Sequence, residues 1–187
     1  MNSLPPITTA PADVLRFWFE QSTPRQWFAK DAAFDDAIRV RFGALHARAA
    51  LGELWPWRTD AAGRLAEIIV LDQFSRNLHR GAAAAFAQDG MALVLAQEAV
   101  ARGLDAALPP TQRVFLYLPF MHSESPRVQQ ESLRLYTALG EPENLDYAHR
   151  HQAIIARFGR YPHRNAALGR ASTPEEAAFL LQPGSGF

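Results

Sequence analysis

Residues 31–52 read DAAFDDAIRVRFGALHARAALG, and this stretch decides the fold class. Phe34, Ile38, Phe42, Leu45 and Ala49 recur at steps of four and three, which puts them on one face of an α-helix. Asp31 suits the N-cap, because its carboxylate can accept the unpaired amides of the first turn. Gly52 suits the stop, where a left-handed residue is needed. Working outward, the same grammar repeats. Thr9, Pro11 and Asp13 open a helix carrying Val14, Leu15, Phe17, Trp18 and Phe19, and Pro24 interrupts it. Thr59 or Asp60 caps a helix with Leu65, Ile68, Ile69 and Leu71. A fourth runs from Gln88 to Arg102, and Pro109-Pro110 opens a fifth that Pro119 ends or kinks. Pro126 opens a sixth stopped by Gly140, and residues 143–158 form a seventh stopped by Gly159. Thr173-Pro174-Glu175-Glu176 joins a capping box to a proline at the first helical position and opens a short last helix. Alternation never persists, so no strand is expected. Leu54-Trp55-Pro56-Trp57 reads as a loop that packs aromatics on the surface, and 75–84 as a polar connection.

The expected architecture is therefore all-α: seven to eight short antiparallel helices stacked in pairs. No repeat of 34 residues is visible, so periodicity does not show a solenoid. At 187 residues the chain has the length of one ordinary domain, expected over 1–187 with 1–8 and 183–187 as loose termini.

Composition removes several chemistries. With no Cys, there is no disulfide, no Cys-ligated zinc or iron–sulfur cluster and no thiol nucleophile. No metal and no cofactor is expected. His149 and His151, two apart on a helix, point apart and cannot share one ion. No phosphate loop, dinucleotide glycine pattern or G-x-S-x-G elbow occurs. No apolar run is long enough to span a membrane and no leader pattern opens the chain, so a cytoplasmic protein with no membrane partner is expected.

The formal net charge is zero, which argues against nucleic acid, yet it is unevenly distributed. Residues 1–146 are net −3, residues 147–174 hold five Arg and no acid, and residues 175–187 are net −2. The basic block centres on Arg157, Arg160, His163, Arg164 and Asn165, in a short loop held by Gly159 and Pro162. Planar guanidinium forks suit phosphate or carboxylate, so this loop is a candidate anion site. The alternative is that these arginines pair with distant Asp or Glu. A second cluster runs from Asp72 to Arg80 and includes Arg76, Asn77 and Arg80, with Asp72 and Arg76 at pairing distance if the helix continues. A third is His122-Ser123-Glu124 between two prolines. There His122 and Glu124 are candidate catalytic acid–base groups, and Ser123 or Ser125 is a candidate cap for the next helix. His151 shares a helix face with Ile154 and Ile155 and is expected to be a satisfied buried side chain.

LDQFSRNLHRG (71–81), FAQD (86–89), LPFMHSE (118–124) and HQAIIARFGRYPHRNAALGRASTPEE (151–176), with VLRFWFE and QWFAKD near the start, resemble the bacterial family known as domain of unknown function 924. The resemblance covers nearly the whole chain. It implies an all-α, tetratricopeptide-like superhelical stack and carries no established activity. It marks Asp72, Gln73, Arg76, Asn77, Arg80, His122, Glu124, Arg157, Gly159, Arg160, His163, Arg164, Asn165 and Arg170 as belonging to one pattern. Ser75 and His79 stand where the family often has Pro and Tyr. By fold analogy, such stacks bind peptides in a concave groove.

Three functions stay open at this level. The first is a binding module that holds an anionic small molecule or peptide with Arg76, Asn77, Arg80, Arg157, Arg160, His163, Arg164 and Asn165. The second is an enzyme with His122 or Glu124 as acid–base and Arg157, Arg160 and Arg164 on the substrate. The third is a scaffold in which the motifs are internal struts and a surface such as Leu54 to Trp57 meets a partner.

Overall fold

The computed structural model describes residues 8–186, and among these the chain is helical with no strand. The long amphipathic stretch forms α3 (Ala32–Ala50). Asp31 accepts from the amides of Ala33 and Phe34, and the five-residue stripe of Phe34 to Ala49 is buried as its spacing demands. α1 (Pro11–Arg16) precedes it and runs on as a π-turn, Phe17–Gln21, followed by the short α2 (Pro24–Phe28). The wide turn sets Trp18 wholly inside, stacked on Trp27, tilted against Phe34 and edge-on to Phe74 and Phe115.

α4 (Ala61–Ile69) is the axis of the molecule, packing against α1, α6 (Asp89–Ala101) and α7 (Pro110–Met121). It starts at Asp60, which accepts from the Gly63 amide at 2.8 Å. Nearly every side chain along it is buried, and the helix carries straight on through a second π-turn, Val70–Phe74, into α5 (Ser75–Leu78). Thus the segment read as a connection from residue 75 begins as helix. Within α5, Ser75 and Asn77 are buried and Ser75, Arg76 and Asn77 each bond a protein partner, so their polarity does not mark a surface loop. α7 runs through Pro119 and continues for two residues past it, so the proline lies inside the helix and does not end it.

α8 (Pro126–Leu139) and α9 (Pro142–Phe158) pack on each other and on α7. Gly140 and Gly159 close them at φ 78° and 69°, the left-handed values that favour glycine. Ser125 occupies the N-cap of α8, but its side chain makes no capping bond. Instead Ser123 Oγ accepts from the Ser125 amide. α10 (Pro174–Leu180) begins with the capping box read from the sequence: Thr173 Oγ1 accepts from Glu176 N, and Glu176 Oε2 accepts from Thr173 N. Of the tryptophan loop, Leu54 is wholly buried, Trp57 packs on the core and Trp55 is exposed. The expected loose start at 1–8 lies outside the described residues except for Thr8, and Phe187 lies outside them at the other end. Within 183–186, Ser185 Oγ donates to the Leu180 carbonyl.

Candidate functional site

The second π-turn delivers Asp72 to the centre of the protein, with a side chain only 1% exposed. A lone buried carboxylate would take up a proton, so its partners matter. Oδ1 accepts from Arg76 Nη1 at 3.0 Å and from His122 Nδ1 at 2.8 Å, and Oδ2 accepts from Gln73 Nε2. Burial pushes the Asp72 carboxyl up, but the Arg76 charge, the His122 contact and these hydrogen bonds outweigh it and hold it well below the usual range. An ionised carboxylate only accepts, so Nδ1 of His122 carries the proton and Nε2 presents its lone pair. Among the described residues no hydrogen bond engages Nε2, and the His122 side chain is 14% exposed. Burial, then the Arg76 charge, lowers the His122 pKa, while Asp72 opposes both. The ring is thus neutral at neutral pH.

Arg76 reaches past Asp72 to Asp89 at the start of α6 and grips it with both terminal nitrogens, at 2.9 and 3.1 Å. Arg164 meets the same carboxylate at 3.1 Å and donates to the His122 carbonyl at 3.0 Å. Its guanidinium lies between the rings of Phe86 and Tyr161, 4.6 Å from each centroid. Arg164 Nε is buried without a hydrogen-bond partner among the described residues. Glu124 pairs with Arg170 through both oxygens and accepts the Tyr161 amide, which together with the Arg170 charge offset its burial and lower its pKa. Gln129 Nε2 and Tyr161 Oη complete the floor, both bonded to the Met121 carbonyl.

His151 and His163 flank Tyr161, with ring centroids 5.6 and 5.4 Å away. His151 is buried and its Nδ1 meets the Tyr147 carbonyl, in keeping with the satisfied side chain read from its helix face. Burial and neighbouring positive charge lower His151 to about 3 and His163 to about 4. These groups are depressed in the folded state, so the unfolded chain binds their protons first as pH falls. Stability is whole above about pH 6.5 and should fall below it by about 1.4 kcal/mol per pH unit per histidine until the folded pKa is reached. Urea unfolding at pH 7.5 and 5.0 checks this: a clear loss at pH 5.0 is expected, and equal or higher stability there refutes it.

A family model for a bacterial protein of unknown function, DUF924, matches residues 14–184. The chain belongs to the DUF924 family. A solved protein of unknown function from Agrobacterium tumefaciens, ATU0120, shares 44% identity with it. The match covers 91% of this chain and 96% of that one, at a TM-score of 0.87. Comparison with curated proteins gives no match.

The DUF924 motifs do not gather in one place. Arg76, His122 and Arg164 share one network with Asp72 and Asp89, and Glu124 and His163 adjoin it through Tyr161. Asn77 and Arg80 instead clasp Asp35 on α3, at 2.7 Å and at 2.5 and 2.9 Å. Arg157 and Arg160 bind Glu175 and Glu176 at the start of α10, and Asn165 donates to Glu176. All five arginines of the acid-free block are therefore paired: Arg150 with Asp146, Arg157 with Glu175, Arg160 with Glu176, Arg164 with Asp89, and Arg170 with Glu124. Spacing alone singles out Asp72 only as the partner of Arg76, and it gives no reason to place Asp89, Phe86 or Tyr161 at the site. The FAQD motif was the available signal for Asp89 and Phe86. Among the described residues no three of His, Asp and Glu converge as a metal-holding group, and no helix is long and apolar enough to cross a membrane.

Proposed function

We propose that this family member binds a small anionic substrate at the His122 face and that His122 Nε2 acts there as a general base. The contact between Asp72 Oδ1 and His122 Nδ1 carries the reading. A buried, ionised carboxylate fixes the tautomer and ring plane of a neutral imidazole and stabilises the imidazolium that forms when Nε2 takes a proton. Arg76 and Arg164 supply the positive charge, and they engage the anionic part of the substrate by exchanging part of their hold on Asp89. Glu124 is a positioning residue in this reading, because Arg170 and the Tyr161 amide already occupy its oxygens.

The test is a panel of small anionic esters, among them p-nitrophenyl phosphate and 4-carboxyphenyl acetate, with wild type and His122→Gln. Turnover by the wild type is expected, falling at least about a hundredfold in the variant at a temperature where its unfolding curve shows it still folded. No turnover across the panel, or turnover indifferent to the substitution, overturns the proposal.

A second reading has its own support. Because each arginine of the basic block already has a carboxylate, the motifs also serve as struts between helices distant in sequence. If that is their whole role, His122→Gln changes stability and nothing else.

A further inference from the structure

A separate cleft of about 280 Å³ opens where the end of α6 meets α7 and α8, away from the Asp72–His122 network. Its apolar wall is formed by Val100, Leu135 and Leu139, and its polar wall by Asp105, Arg113, Tyr117 and Arg134. Volumes near this value suit a small solute rather than a large ligand.

The valences of the polar wall are only partly used. Tyr117 Oη donates to Asp105 Oδ2 at 2.5 Å, and no hydrogen bond among the described residues engages Asp105 Oδ1. Arg113 spends Nε on the Leu108 carbonyl and Nη2 on the Ala106 carbonyl. Arg134 spends Nε and Nη2 on Glu131. The Nη1 group of each arginine has no protein partner among the described residues. The cleft thus combines two unspent cationic donors, one unspent anionic acceptor and an aliphatic wall. A simple carboxylic acid would satisfy the arginines but bring its charge toward Asp105. An amine would do the reverse. A zwitterion satisfies both signs at once.

We infer that this cleft binds a free aliphatic α-amino acid. The carboxylate is held by Arg113 and Arg134, the ammonium by Asp105, and the side chain lies on Val100, Leu135 and Leu139. Tyr117 stays a neutral phenol, since burial and the Asp105 hydrogen bond push its pKa upward, so it keeps Asp105 oriented without adding charge.

Calorimetric titration with L-leucine, 4-methylpentanoate and L-leucinamide tests the inference on the full chain. Leucine should bind, and each analogue, lacking one charged group, should bind about tenfold more weakly or not at all. Arg134→Gln and Asp105→Asn should each weaken leucine by a similar factor. Asp105→Asn keeps the local shape and Arg134 is a mostly exposed side chain, and the thermal midpoint of each variant reports whether the fold is intact. Loss of affinity at an unchanged midpoint supports the site. No heat with leucine, equal binding of 4-methylpentanoate, or folded variants with wild-type affinity overturns it. Neither His122 nor Asp72 takes part, so the result is independent of the proposed base.

Discussion

Arg76→Ala should cost about 3–5 kcal/mol of stability, because it strips the guanidinium from a carboxylate that cannot reach water. Asp72 is fully buried and is left with His122 and Gln73 alone. The same substitution removes the two-point grip on Asp89, which among the described residues retains only Arg164 as a cationic partner. A surface ion pair would be worth under about 1 kcal/mol, so the size of the loss discriminates sharply. For a chain of this length a 3–5 kcal/mol loss corresponds to a fall of roughly 10 °C in the unfolding midpoint. Urea unfolding at pH 7.5 measures it, and a change within 1 kcal/mol would show that Asp72 is not held as described. The substitution also reports on the candidate site. Arg76 is one of the charges that lower the His122 pKa, so the variant should titrate His122 at higher pH. Imidazole nitrogen shifts in labelled protein read that displacement even if the variant is only marginally stable.

Gly63→Ala should be comparably damaging, at about 3 kcal/mol or more, although alanine favours a helix over glycine by about 1 kcal/mol. A Cβ built at Gly63 would lie 1.9 Å from the Trp57 carbonyl oxygen and 2.9 Å from its carbon. Both are backbone atoms, so no rotamer change relieves the clash. The turn Trp55–Thr59 must move off α4. That movement strains the Arg64 bond to the Arg58 carbonyl and the two-point pair of Arg58 with Glu67, whose side chain is wholly buried. A shifted turn would leave Glu67 without its counter-charge. Denaturant unfolding of the single variant tests this, and unchanged or increased stability would refute the close approach.

Much of the architecture was legible because helices advertise themselves locally. The stripe of α3, the glycine stops after α8 and α9, and the capping box of α10 depend on residues within one or two turns of each other, and they stand where the spacing puts them. Two features escaped for a matching reason. α2 spans Pro24–Phe28, too short for any period to emerge. α5 follows a π-turn, which shifts the helical phase and points polar residues into the protein, so Ser75 and Asn77 looked like loop when they are buried. The pairing of Asp72 with Arg76, four residues apart, was readable because it needs only a continuing helix.

By itself, then, the sequence determined the longer helices, most of their ends and the residue types that carry the polar chemistry, since these follow from periods and caps spanning a few residues. Only the tertiary structure decided what those polar groups do. The five-arginine block looked like an open anion site because no acid lies within it. Yet Arg164 meets Asp89 from 75 positions away, Arg170 meets Glu124 from 46, and Arg160 meets Glu176 from 16. His122 meets Asp72 across 50 positions, and that contact sets which of its nitrogens is free. Charge neutralisation and histidine tautomer are properties of neighbours in space. Packing α4, α6, α7 and the loop after α9 around one buried carboxylate is what chooses those neighbours.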